Sequence, residues 1–278
     1  MVYHRASNYY SEATHSGALF DYSTVPYPQA ADFLQACIAA CPDSYHAHLV
    51  LGNFCFGLAA DIRGFGWADS VTQDRWIGAA LTCETAAAQL KVMTLSPRSV
   101  AACVTVMQMA AHFKEPYWLR QLFEGEPPKT IAHDDIEEPS LMDAALAHLA
   151  EYGVRRLQPD QAPQAQPAWL APRAEHEMDQ GKDYWLLRAL ELRPGHQETL
   201  TAYAQYLQPR WGGGSYEDID GPASVPLCET LTEPQRNAIR WVGLWDELSD
   251  FPESEETQAV QAHRQASKSF LQRDVRAQ

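Results

Sequence analysis

Apolar residues recur along this chain at helical spacing, in short phrases that end at proline. Phe33, Leu34, Cys37, Ile38 and Cys41 return once per helical turn and stop at Pro42. A proline inside a helix removes a backbone donor and clashes with the preceding turn, so the pattern predicts a helix end there. Pro28 suits the first turn of that helix, and Asp43 and Ser44 suit the cap of the next. The next helix carries Ala47, Val50, Leu51, Phe54 and Leu58 and should break at Arg63-Gly64-Phe65-Gly66. Trp76, Ala80, Leu81, Cys83, Ala87, Leu90 and Leu95 then predict a long helix reaching Ser96-Pro97. Val100, Val104, Met107 and Ala111 follow. Tyr184, Leu187, Leu190 and Leu192 lead to Arg193-Pro194-Gly195, followed by Leu200, Tyr203, Ala204 and Leu207.

When Pro42, Pro97 and Pro194 are aligned, five residues on stand Ala47, Ala102 and Thr199, and nine residues on stand Leu51, Val106 and Tyr203. A helical hairpin cannot bury both its faces alone, so such phrases predict neighbours that stack. A further copy is expected at Leu141, Ala145, Leu149 and Leu157 before Pro159, with Pro163 and Pro167 interrupting its second helix. Only the spacing of Pro159 and Pro194 comes near the tetratricopeptide period of about 34 residues. The expected fold class is therefore mainly α, an irregular tetratricopeptide-like stack of helical hairpins. Residues 1–25, polar and tyrosine-rich, read as an N-terminal arm; 26–278 read as a single α-helical hairpin stack. Pro159, Pro163, Pro167 and Pro172 among Gln and Ala give 158–172 the composition of a linker, the place for any subdivision.

Charge and cysteine narrow the function classes. The 278 residues carry a formal charge of −15, a field that repels a nucleic-acid backbone and attracts a basic protein. High negative charge also simply keeps a protein soluble. No apolar run approaches the ~18 residues of a membrane span, and the first residues lack the pattern of a secretory signal. Nucleic acid and membrane are thus not expected as partners, and a cytoplasmic location is expected. Cys37, Cys41, Cys55, Cys83, Cys103 and Cys228 lack paired CxxC spacing, and five of them lie in apolar segments. They are expected to pack as reduced, small hydrophobes.

Catalytic chemistry finds little footing. Gly212-Gly213-Gly214-Ser215 lacks the lysine and preceding strand of a phosphate loop and reads as a turn after a helix. His176-Glu177 lacks the second histidine of a zinc-protease signature, since Gln stands at 180. His46 and His48 are two apart and point to different helix faces. His133, Asp134 and Asp135 could hold a divalent ion or form a solvated acidic loop. We expect no catalytic residue, no metal and no cofactor.

The expected partner-binding residues fall in two places. Asp134, Asp135, Glu137 and Glu138 belong to an acidic, proline-bounded loop over 124–139. Trp241 and Trp245 stripe a C-terminal helix opened by Thr232-Glu233-Pro234, with Glu247, Asp250 and Glu253 crowding its end. Acid there opposes the helix macrodipole at about 0.3–1 kcal/mol per charge. Aromatic stripes mostly belong to cores and carboxylates mostly to solvated surfaces. Together, however, they match an interface of aromatic anchors with a charged rim.

The stretch from about Asp183 to Gly221, in which a helix ending Leu192-Arg193-Pro194 precedes a second helix and Trp211-Gly212-Gly213-Gly214-Ser215, resembles bacterial tetratricopeptide-like proteins of unknown function with a Trp-Gly-Gly-Ser segment. Such proteins resemble immunity proteins of interbacterial toxins, including those of type VI secretion. What the resemblance implies is an immunity protein that binds and neutralises a cognate, basic toxin, a nuclease effector for example. An adaptor or chaperone that grips peptides in a helical groove is the alternative, and an enzyme the third reading. The sequence leaves the oligomeric state open.

Overall fold

Proline and capping residues set the helix boundaries in the computed structural model, which describes residues 25–64, 70–90, 99–179, 181–208, 219, 229 and 231–250, the side chains of 176 and 244–250 excepted. All regular structure among these residues is helical. The α-helices are α1 (Tyr27–Ala40), α2 (Tyr45–Arg63), α3 (Gln73–Gln89), α4 (Val100–Phe113) and α5 (Tyr117–Glu124), then α6 (Pro139–Glu151), α7 (Gly181–Leu192), α8 (Gln197–Tyr206) and α9 (Glu233–Asp250). The chain forms two compact units, residues 1–188 and 189–278, with the division inside α7. None of the described helices is long and apolar enough to cross a membrane. The expected arm over 1–25 lies almost wholly outside the described residues.

Three helices begin alike. The residue two after each proline is an N-cap: Ser44, Ser99 and His196. Ser44 Oγ accepts the Ala47 amide at 3.3 Å, and Ser99 Oγ accepts that of Ala102 at 3.4 Å. His196 instead pairs its Nδ1 with Thr199 Oγ1 at 2.7 Å. A hydroxyl cap satisfies an amide that the helix cannot and contributes about 1 kcal/mol. The aligned positions behave as one phrase: Leu51, Val106 and Tyr203 are buried, as are Ala102 and Thr199, with Ala47 half-buried.

In the first unit α2 and α3 form the central hairpin, with α1 and α4 packed on it and α6 against α3. Leu49, Phe54, Leu58 and Ile62 of α2 and Leu81, Ala86 and Ala87 of α3 are all buried in the core of this unit. Each large side chain so buried contributes about 1.5–3 kcal/mol. Close approach depends on Gly52: a Cβ there would lie 2.7 Å from Leu90 Cδ2 and 3.3 Å from the Ala86 carbonyl oxygen. Asn53 and Thr105 join α2 to α4 through a buried 3.0 Å bond. His148 of α6 holds Asp74 at the start of α3 at 2.7 Å, and the Thr72 hydroxyl and His148 keep that carboxyl below its ordinary range.

The helix ends bring two corrections to the sequence pattern. The periodicity carries the third helix to Leu95, but α3 ends at Gln89, and 91–98 lie outside the described residues. It also carries the 141–157 helix to Leu157, but α6 stops at Glu151, with Gly153 at φ +71°. Leu157 is buried all the same, because the chain beyond the helix turns its apolar side inward. At Gly153 a Cβ would stand 2.6 Å from the Pro28 Cα, so the α6 exit and α1 entry pass in direct contact. Tyr27 stacks beside Tyr152 at 5.1 Å and donates to Asp61 at 3.1 Å.

The second unit pairs α8 with α9. Leu200 and Ala204 of α8 and Ile239 of α9 are fully buried. Gln208 donates to the Val242 carbonyl at 3.1 Å, and the Thr232 amide donates to Gln235 Oε1 at 2.8 Å to cap α9.

Candidate partner-binding site

The acidic loop starts from a helix that the apolar pattern does not announce. Pro116 sets the entry of α5, whose Trp118 and Leu119 are buried while Tyr117 stays exposed. Gly125, at φ +76°, ends it in the left-handed conformation that glycine adopts without a Cβ penalty, and the Glu126 amide returns to the Gln121 carbonyl at 2.9 Å.

Residues 129–131 are then tied down by three side chains from three places. Gln121, buried on α5, accepts the Lys129 amide. Glu84, fully buried on α3, accepts the Ile131 amide at 3.3 and 3.4 Å with its two carboxyl oxygens. Arg156, from the chain after α6, donates to the Ile131 carbonyl. Both backbone groups of Ile131 are thereby satisfied, as an extended segment without a strand partner requires. The Trp118 indole donates to the Glu84 main-chain carbonyl at 3.3 Å and closes the cluster. Burial pushes the Glu84 carboxyl up to about 7; the Ile131 amide, Arg156 and the Tyr117 amide oppose that, and Asp135 adds to it.

Beyond the clamp the chain turns outward. Asp135 Oδ2 accepts the Ala132 amide at 2.7 Å and closes a 3₁₀ turn over His133–Asp135. His133, Asp134, Asp135, Glu137 and Glu138 are all exposed, and His133 reaches Asp143 at 3.3 Å. Glu138 is the N-cap of α6, an end where the macrodipole favours negative charge. The four carboxylates named from sequence therefore share one short, solvated stretch, and its stem is fixed.

The other expected residues lie in the second unit. Trp241 is half-buried on α9. Trp245, Glu247 and Asp250 belong to α9, but their side chains are outside the described residues, as is Glu253 altogether. Trp211 to Ser215, the segment behind the family resemblance, is also outside them.

A buried ion pair fastens the proline-rich stretch after α6. Arg173 is fully buried and grips Glu115 with two nitrogens, one at 2.6 Å, while the Trp185 indole donates to the same carboxylate at 2.7 Å. The Arg173 guanidinium lies over the rings of Phe123 and Tyr184, 4.0 and 4.3 Å from their centroids, and the two rings meet edge to face. Tyr184 donates to the Ala171 carbonyl at 2.7 Å, and burial first of all raises its phenol above the ordinary range. Ala162 and Leu170 are buried, so 158–172 runs against the unit it belongs to. The cysteines divide: Cys55, Cys83 and Cys103 pack inside, whereas Cys37 is half-buried and Cys41 exposed at the end of α1. Cys228 lies outside the described residues.

Sequence reasoning missed Glu84, Arg156, Glu115 and Arg173. Glu84 had a signal: it stands three residues from Leu81 and three from Ala87, inside an apolar stripe. A carboxylate in such a stripe needs a buried partner. Glu115 and Arg173 have none, because 58 residues separate them.

No curated protein and no solved structure matches the chain. A family model described as Domain of unknown function (DUF4034) matches residues 4–246, the greater part of the sequence, and the chain therefore belongs to that family.

Proposed function

We propose that this protein works by binding a basic protein partner through the carboxylates of 133–138, as a cytoplasmic immunity protein that neutralises a cognate bacterial toxin. One observation carries the reading: Asp134, Asp135, Glu137 and Glu138 are exposed together on a stretch whose stem is clamped by Glu84, Gln121 and Arg156. Preorganisation of this kind lowers the ordering cost of association. The net charge of −15 supports it, since opposite charge speeds encounter with a basic surface. The toxin identity rests on the resemblance of the Asp183–Gly221 stretch alone.

The test is coexpression with the product of the neighbouring gene, followed by copurification and a growth assay. With Asp134→Lys, Glu137→Lys and Glu138→Lys combined, association with that product should slow at least tenfold and lose most of its salt dependence. Stability should fall by no more than about 1–2 kcal/mol: Asp134 and Glu137 are exposed, and the cost comes from reversing the charge of Glu138 at the N-terminus of α6. Equal association rates for the triple variant and the parent protein would defeat the proposal.

A further inference from the structure

We propose that residues 129–138 form a proton-linked latch: the segment closes over the Glu84 carboxyl with uptake of a proton from solvent and opens with its release. The functional meaning of the latch rests on the reading of 133–138 as the partner surface, but the latch is a property of the free protein and is tested on it.

Geometry comes first. Glu84 is fully buried, and the Ile131 backbone lies across it, held on one side by the carboxyl and on the other by Arg156. Lifting this short stem is the local motion that would wet the carboxyl. Two buried polar atoms of the closed stem, Thr130 Oγ1 and Arg156 Nε, have no hydrogen-bond partner among the described residues. Such groups regain hydrogen bonds to water when a segment opens, so the closed form is less secure than its burial suggests.

The sign follows from the surroundings. Closed, the carboxyl titrates at about 7, with burial the largest cause. Open, it returns toward its ordinary value of 4.5. The closed form therefore binds the proton more tightly, and the latch tightens as pH falls through neutrality. Arg156 opposes the rise, Asp135 in the carried segment reinforces it, and Cys83 is the neighbouring titratable group on α3. The helices packed on α3 bring Cys55 from α2, Cys103 and His112 from α4, and His148 from α6, the last already bound to Asp74.

A further consequence concerns the partner. Asp135 raises the proton affinity of Glu84, so a cation docked on Asp135 must lower it. Engagement of the closed segment by a basic surface is then coupled to proton release from Glu84.

Hydrogen exchange of the Lys129 and Ile131 amides reads the opening directly, because both donate to latch side chains. Rates are corrected for intrinsic exchange with an unstructured peptide of the same sequence, and amides of α4 serve as the internal reference. The opening constant should rise about tenfold from pH 6 to pH 8.5, toward a limit of roughly 300-fold over the full titration. Glu84→Gln, which keeps an oxygen for the Ile131 amide, should make it independent of pH. A carbon-detected titration of the Glu84 carboxyl in the unsubstituted protein gives the second measurement and should show a midpoint near 7. A midpoint near 4.5, or the same pH dependence in Glu84→Gln, would overturn the latch. Failure of the lysine triple variant to alter toxin association would overturn the partner reading and leave these exchange results standing.

Discussion

Removing the charge of Glu84 should stabilise the protein, and by an amount that depends on pH. The folded carboxyl titrates at about 7 and the ordinary one at 4.5. Because the folded value is the higher, folding favours the protonated form. Its contribution is fully present below about pH 4.5 and is lost as pH rises through 7. At pH 8 the ionised group costs the fold about 3 kcal/mol relative to a neutral one. Gln at 84 stays neutral and offers an amide oxygen to the Ile131 N–H, so it should escape that cost while retaining the bond. Urea denaturation at pH 5, 6, 7 and 8, followed by circular dichroism, measures the difference. The variant should gain on its parent steadily, from under about 1 kcal/mol at pH 5 to about 3 kcal/mol at pH 8. In thermal melts the gap at pH 8 corresponds to roughly 6–12 °C in Tm. A difference that stays flat across this range, or a variant less stable than its parent at pH 8, would mean that Arg156 and the Ile131 amide fully compensate the buried charge. The desolvation argument would then be wrong.

The other expectations follow from packing and pairing. Arg173→Met should destabilise the first unit by about 3–5 kcal/mol, because it strands the Glu115 carboxylate in a buried site. Limited proteolysis should then cut within 158–180, while Arg120→Ala, which breaks an exposed pair with Glu124, should shift denaturation by under about 1 kcal/mol. Gly153→Ala combines a left-handed φ of +71° with a Cβ 2.6 Å from the Pro28 Cα. It should cost at least about 2 kcal/mol in the same urea assay, and a neutral result would show that α1 shifts freely on the end of α6.

How far the fold could be read from the chain depends on the range of the forces involved. The proline phrases are local: Pro42, Pro97 and Pro194 each leave a cap two residues on, so α2, α4 and α8 begin where the pattern puts them. The interior follows too, since Leu51, Val106 and Tyr203 recur at the same offset and are all buried. Helix ends are legible only where a residue enforces them; Gly64 does so for α2, whereas the 141–157 pattern runs past the end of α6 at Glu151 because Leu157, beyond the helix, is buried as well. The acidic loop shows the same limit in sharper form. Its exposed carboxylates are evident from composition, but the side chains that decide whether it is fixed or loose come from α3, α5 and the chain after α6. Ile131 lies 47 residues from Glu84, and Arg156 lies 25 from Ile131. No periodicity connects such positions. What the sequence does carry is the anomaly of a carboxylate in the apolar face of α3, and a buried charge has to be satisfied by something. The segment that satisfies it is the one that bears the exposed acids. The protonation of the core and the position of the charged surface are therefore a single equilibrium, and a change in either must appear in the other.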